Sequence, residues 1–497
     1  MFTVDALPAP AADPPRTPQF AGWPVGLVAA VTGALMYLAS RNYGYFFDEA
    51  YFVVAGRDHL AWGYFDQPAL VPALAALADH LAPGSLPVLR LPATLACVGG
   101  VVLTALIARE LGGGRRAQTA AAFAYALSGA VRIGHWLATY SLDPFFWTVI
   151  VWLLVRWTRQ HREGRPDDRL LLAAGAVTAL SLQTKFLVPA LWAAVLLAAV
   201  ALGPRTLPRR PLLWVGALIA VVATTPNLVW QVANGWPYAR MTDVVAKEFA
   251  GTGRYLWEGL AGAGLLMGVL LVLCGLARLV VSRELAAFRY LGVATIAIVV
   301  AFALLDGRSY YLFSLYALPI AAGATALERF RWTTPRALVA GAVVLLSLAV
   351  SVISLPVFSR AVAEKLPDLP LVATAKQYTV AEGQLEPLVD GIAALYTALP
   401  PEQRARTAIM TDSYVFAAAV DLYGPARDLP RAYSGHRGYF YFGHPDDHHD
   451  SVLFVGTPNP ALHTAFTAEI PLAPDFATLY TGLHEPWDAL WPDLRTQ

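Results

Sequence analysis

Residues 43–70, YGYFFDEAYFVVAGRDHLAWGYFDQPAL, lie between two long apolar segments and decide how the rest of the chain is read. The stretch sets Asp48 and Glu49 side by side, then Asp66 before Gln67 and Pro68. Around them stand Tyr43, Tyr45, Phe46, Phe47, Tyr51, Phe52, Trp62, Tyr64 and Phe65. Aromatic belts prefer the membrane interface, so the loop is expected to lie along a bilayer. Acidic groups in such a place are costly unless they bind or react with something. The loop is therefore the first place to look for a site.

Composition agrees with a membrane setting. The chain has 497 residues, of which 57% are hydrophobic and only 14% charged, and its mean hydropathy is +0.50. A soluble domain carries about a quarter charged residues. Apolar runs of roughly 15 to 20 residues recur along the sequence, which predicts a polytopic α-helical membrane protein. The net charge of +1 gives no sign of a nucleic-acid partner. Cys97 and Cys274 both fall in apolar segments and read as small core residues, without a disulfide framework. Residues 1–21, rich in Pro and Ala, are expected to be a disordered cytoplasmic N-terminus with a retained first anchor.

Working outward from the loop, about eleven spans are expected within residues 22–358. The first covers residues 23–40 and the second 87–109, with interfacial helices broken near Pro68 in the loop 41–86 between them. Spans at 117–133 and 144–157 flank a second loop that ends at Asp143. Residues 170–202 are interrupted by Gln183, Thr184 and Lys185 and bordered by arginine-rich loops on both sides. Basic loops stay in the cytoplasm, so this segment reads as a hairpin of two short spans with Lys185 near its outer turn. Further spans follow at 212–225, 256–276, 290–305, 310–327 with a kink at Pro319, and 337–355. Residues 359–497 have the composition of a soluble domain. Helix-like runs at 385–399 and 414–422 alternate there with strand-like runs at 407–410 and 452–455, which suggests a small α/β module. Span parity places it outside the cell.

The same parity brings Asp48, Glu49, Asp66, Asp143, Lys185 and Arg308 to the outer side. Carboxylates serve as general bases or bind a divalent metal. Lys and Arg at the membrane edge hold phosphate groups, and aromatic walls suit sugar faces and isoprenoid tails. Transfer of a sugar from a lipid phosphate needs all of these.

Here a family resemblance enters. It rests on DEAYF at 48–52, YFDQPAL at 64–70, RIGHWLATYSLDPFF at 132–146, TKF at 184–186 and PNLVWQVANGWP at 226–237. GRSYYLFSLYALP at 307–319 and, in the tail, DLYGP and SGHRGYFYFG complete the set. In this order the pieces resemble the GT-C superfamily of glycosyltransferases, family 39 group, which includes protein O-mannosyltransferases and lipid A aminoarabinose transferases. The resemblance implies a polyprenyl-phosphate-linked sugar donor, a hydroxyl-bearing acceptor and a plasma (inner) membrane location with the C-terminal domain extracytoplasmic. It implies that Asp48 is the base and that Asp143 supports the site. Asp66, with His135 as a second candidate, is implied as ligand to a divalent cation (Mg2+, Mn2+ or Zn2+). Glu49, Tyr64, Gln67, Lys185, Arg308 and Tyr310 become expected substrate contacts. Gln67 and Ala69 depart from the family's acid-Lys-Pro-Pro element, which moves the phosphate contact toward Lys185 and Arg308.

Plainer roles compete at several positions. Asp48 and Glu49 also read as a solvated helix start, one of them structural in any case. Asp66 also reads as a turn cap, and Asp143 before Pro144 as a helix-start residue. His135 also reads as a packing histidine, Lys185 as a snorkelling side chain and Arg308 as a partner of Asp306. Lys247 and Glu248 read as solvated. His436, His444, His448 and His449 gather in the tail with a spacing that matches no zinc pattern. A transporter or lipid flippase, or a non-catalytic binder of a lipid-linked sugar, are the alternative functions.

Overall fold

The computed structural model describes residues 17–41, 43–355, 360–366 and 383–496. The expected disorder of the N-terminus, up to residue 16, and the domain boundary at 358/359 lie outside the described residues. The chain is mostly helical, with a small sheet confined to the C-terminal part.

Every segment expected to span the membrane falls on helix. Among the described residues five helices are long and apolar enough to cross: Gly22–Ala39, Leu91–Glu110, Pro211–Ala233, Ala286–Leu304 and Thr334–Ile353. Two bent pairs raise the number to seven if each is one span. The difference from about eleven lies in short or polar helices. Arg169–Leu182 and Val188–Leu202 have 14 and 15 residues. At a rise of about 1.5 Å per residue each falls short of a hydrocarbon core of about 30 Å. Thr139–Arg162 is long enough but carries Asp143, Arg156, Arg159 and Arg162.

Two expectations about continuous spans are corrected. The segment at 256–276 is two helices, Thr252–Ala261 and Leu265–Val281, bent by 105°. Gly264 at φ 105° and Leu265 at φ 52° make that turn, and glycine takes such a conformation without strain. The second pair, Ser309–Leu315 and Ala317–Glu328, bends by 52° before Pro319, not at it. Pro319 falls in the first turn of its helix, where no backbone N–H bond is lost.

Small residues let the helices approach. A Cβ on Gly175 would stand 2.2 Å from the Gly216 Cα, and one on Gly275 1.8 Å from the Pro319 carbonyl oxygen. Such contacts replace hydrophobic driving force, which lipid does not supply between helices.

The loop after the first helix folds as two helices, Phe47–Asp58 and Leu70–Leu81, separated by a segment that contains Pro68. They touch where Gly56 meets the Pro72 carbonyl. The C-terminal part holds five strands: β1 (Thr407–Thr411), β2 (Ala432–Tyr433), β3 (Ser451–Val455), β4 (Phe466–Ala473) and β5 (Ala477–Leu483). Their order is β2-β1-β3-β5-β4. β1 runs parallel to β2 and β3, while β5 is antiparallel to β3 and β4. The helices Leu385–Thr397 and Tyr414–Tyr423 cover the sheet. A single hydrophobic core unites them with the loop helices: Tyr51, Val54 and Val71 pack in one cluster with Val389, Ala417 and Val420. The C-terminal domain thereby holds the loop helices in place.

Candidate active site

A cavity of about 1030 Å3 opens where the loop helices, the broken helix pairs and the C-terminal domain meet. Asp48 stands in its wall, in the first turn of the Phe47–Asp58 helix, where the helix dipole favours a negative charge. Its Oδ1 accepts a hydrogen bond of 2.8 Å from the Tyr414 hydroxyl of the C-terminal domain. Its Oδ2 accepts one of 3.3 Å from the Tyr140 hydroxyl. One carboxylate is thus held from two sides and still faces open volume. Phe46, Phe47 and Trp136 line the same wall, and Trp136 stacks on Phe46 with ring centres 4.1 Å apart. Aromatic faces of this kind suit an apolar ring face or a sugar.

Glu49, one residue on, turns away from the cavity. Its oxygens accept from Arg90 at 2.7 and 2.9 Å, from the Leu137 amide at 2.9 Å and from the Phe46 amide at 3.0 Å. Neither Glu49 nor Arg90 is exposed at all. The expected substrate contact at Glu49 therefore gives way to a structural one.

The other expected residues divide. His135, Arg308 and Tyr310 join Asp48 in the cavity wall, whereas Asp66, Gln67, Tyr64, Asp143 and Lys185 stand outside it. The Tyr64 hydroxyl is engaged by the Ala61 amide and by the carbonyls of Ala55 and His59, so it braces the loop instead of a ligand. Gln67 is buried behind that brace, its Nε2 without a partner in the described residues. Lys185 Nζ is buried over the rings of Tyr310 and Tyr311, 4.7 and 4.1 Å from their centres. It backs Tyr310 and does not reach into the cavity. Asp143 is buried too, and its Oδ2 accepts from the Ser314 hydroxyl at 2.9 Å. It does not begin a helix, because the helix starts at Thr139.

Asp66 lies next to Tyr51, whose hydroxyl reaches it at 3.2 Å. Burial pushes its carboxyl up to about 6; Arg437 opposes that rise and the charge of Asp48 adds to it. Asp66 and His135 were the expected metal ligands. Among the described residues neither belongs to a group of three metal-type ligands. The Nδ1 of His135 is 2.7 Å from the Arg132 carbonyl. The group that does form among the described residues is Asp446, His448 and His449 on the C-terminal domain, with ligand atoms within 4.8 Å of one another. His436 and His444 are not part of it. His436 accepts from the Tyr414 amide, and His444 pairs with Asp488.

The cavity's cations were largely missed in the sequence. Arg132, Arg254, Arg308 and Arg437 all line it, with Glu248 and Glu258. Arg308 pairs with Glu248 at 2.7 Å and not with Asp306, so Glu248 is a wall residue and not merely a solvated one. Arg132 and Arg437 do sit in the stretches RIGHW and SGHRG. A lone arginine in a loop gives no sign of the direction it faces, and only the fold brings these four together.

Residues 66–230, about a third of the chain, match the family model described as dolichyl-phosphate-mannose-protein mannosyltransferase. No curated protein matches the sequence. Among solved structures the chain is similar to ArnT from Cupriavidus metallidurans bound to undecaprenyl phosphate. The identity is 16% over 94% of this chain and 99% of that one, with a TM-score of 0.61. The apo state of the same protein gives 17% identity, 92% and 97% coverage and a TM-score of 0.58. The arabinofuranosyltransferase AftD from Mycobacteria gives 14% identity, covers 94% of this chain and 40% of that one, and has a TM-score of 0.50. At these identities the likeness is one of fold: the chain has the GT-C membrane fold with a C-terminal sheet domain.

Proposed function

We propose that this protein is an integral-membrane glycosyltransferase. It moves a sugar from a polyprenyl-phosphate-linked donor to a hydroxyl acceptor on the outer face of the plasma (inner) membrane. The observation that carries the reading is the cavity itself: one carboxylate, Asp48, held by two tyrosine hydroxyls, faces a space walled by aromatics and four arginines. The fold shared with an ArnT structure that holds undecaprenyl phosphate supports a lipid phosphate as the leaving group.

The chemistry follows from these groups. Asp48 takes the proton of the acceptor hydroxyl as its oxygen attacks the anomeric carbon of the donor sugar. The bond from that carbon to the phosphate oxygen breaks, and the lipid phosphate leaves with the electron pair. Arginines beside it neutralise the charge that develops, which acts most strongly where water is excluded. Tyr140 and Tyr414 hold Asp48 in place, so no reorganisation is needed at the moment of transfer. Asp143 and Lys185 form the layer behind that wall, with Lys185 against the ring of the wall residue Tyr310.

The test is to incubate the purified protein with radiolabelled polyprenyl-phosphate sugars, with and without chelator, and follow sugar release to water or acceptor. Asp48→Asn should lower turnover by about 10²–10⁴-fold, the contribution of a positioned base, while the protein still folds and binds donor. Full activity in Asp48→Asn would sink the assignment. Release that the chelator abolishes would show that a divalent cation assists the transfer, and release that persists would show that it does not.

A further inference from the structure

Glu248 stands between two guanidiniums that come from different parts of the molecule. Its Oε2 accepts a hydrogen bond of 2.7 Å from Arg308 Nε, at the start of the Ser309–Leu315 turn. Its Oε1 lies 3.4 Å from Arg437 Nη2, which belongs to the outer domain. All three residues line the large cavity.

The arginines are built in, and the glutamate is not. Their side chains are 22% and 17% exposed, against 44% for Glu248. Arg308 also donates to the Tyr310 hydroxyl at 3.0 Å. Arg437 lies over the Tyr414 ring, 5.4 Å from its centre, and Tyr414 in turn holds Asp48. The Arg437 backbone sits at φ 48°, and the next residue, Gly438, packs so tightly on Tyr51 that a Cβ would meet its hydroxyl at 1.9 Å. A strained backbone persists only where its surroundings over-determine it. Yet Arg437 Nε is buried and has no hydrogen-bond partner among the described residues. One carboxylate does not saturate two guanidiniums, whose planar forks match the several oxygens of a phosphate. On its other side Glu248 borders a second space of about 250 Å3, shared with Arg308, which gives a displaced carboxylate room to swing.

We propose that Arg308 and Arg437 are the clamp for the donor's phosphate group, and that Glu248 occupies the clamp until the phosphate displaces it. The inference rests on the glycosyl-transfer reading and deepens it: the outer domain supplies half of the anion site. The arriving phosphate repels the carboxylate and takes both guanidiniums, including the idle Nε of Arg437.

The experiment titrates the full-length protein in lipid nanodiscs with undecaprenyl phosphate and, separately, with inorganic phosphate. Arg437→Gln should weaken lipid binding about tenfold or more, the loss of a charge-assisted hydrogen bond, with Arg437→Lys between it and the wild type. Glu248→Gln should tighten binding several-fold, because the competing charge is gone, and should do little in the Arg437→Gln background. A glutamate that merely supported the fold would give the opposite sign. Weaker or unchanged binding in Glu248→Gln, or unchanged binding in a folded Arg437→Gln, overturns the clamp while leaving the glycosyl-transfer reading intact. A wild-type protein without affinity for undecaprenyl phosphate overturns both. Equal affinity for the lipid and for inorganic phosphate would identify a free-anion site and overturn the assignment to the donor.

Discussion

Asp48 and Glu49 are neighbours with opposite fates. Successive residues on a helix point about 100° apart, so one faces the cavity while the other enters the core. Glu49→Ala would leave the buried Arg90 guanidinium without its counter-charge, held only by neutral groups such as the Ser40 and Gly44 carbonyls. Breaking such a pair costs about 3–5 kcal/mol, so a marked fall in melting temperature is expected by size-exclusion thermostability. Asp48→Asn should melt close to the wild type. Asp66 carries a pH signature. Its carboxyl ionises at 3.8 in an ordinary setting and at about 6 in the fold. The folded state therefore holds the proton more tightly, and that stabilisation is complete below pH 3.8 and lost as the pH rises through about 6. Asp66→Asn should accordingly stabilise the protein at pH 8 by up to about 3 kcal/mol, with the difference closing as the pH falls below 6. A difference independent of pH would refute the burial argument. At this scale the acidic side was legible, since carboxylates among interfacial aromatics stand out. The partners were not, because what Tyr140, Tyr414 and Arg437 touch depends on chain segments far away in sequence.

At the scale of elements, apolar runs marked where helices lie, and the expected interruption near residues 183–187 separates two helices. The bends were less visible. The segment 256–276 read as one continuous span, and Pro319 read as a kink although it sits harmlessly in a first turn. Where glycine serves packing, substitution is diagnostic. Gly175→Leu would push the Arg169–Leu182 helix off Pro211–Ala233, whose backbone lies where the new Cβ would stand. Overpacking of this kind costs about 1–3 kcal/mol, so the variant should melt lower. An unchanged melting curve would mean that the two helices do not meet there. The β4–β5 hairpin also escaped the sequence reading. β4 is mostly exposed and contains Pro471, so it lacks the alternation that marks a half-buried strand.

For the whole molecule, the shared core between the loop helices and the C-terminal domain makes the site a joint product. Its orientation is testable with a membrane-impermeant thiol reagent in intact cells. Cys97 is buried, and the exposed Cys274 is replaced by serine in the background. Glu402→Cys on the outer domain should label, and Arg165→Cys in the arginine-rich loop, 79% exposed, should label only after the membrane is opened. The reverse pattern would turn the proposed topology over. By itself the sequence determined the class: a polytopic helical membrane protein with an interfacial acidic loop and a small α/β tail, because hydropathy and periodicity are local properties. Only the tertiary structure decided which acidic residue faces the cavity, that Lys185 lies behind it, and that Arg308 and Arg437 share Glu248. Those are contacts across 60 to 366 residues, and no local pattern encodes the direction a side chain takes once distant elements pack.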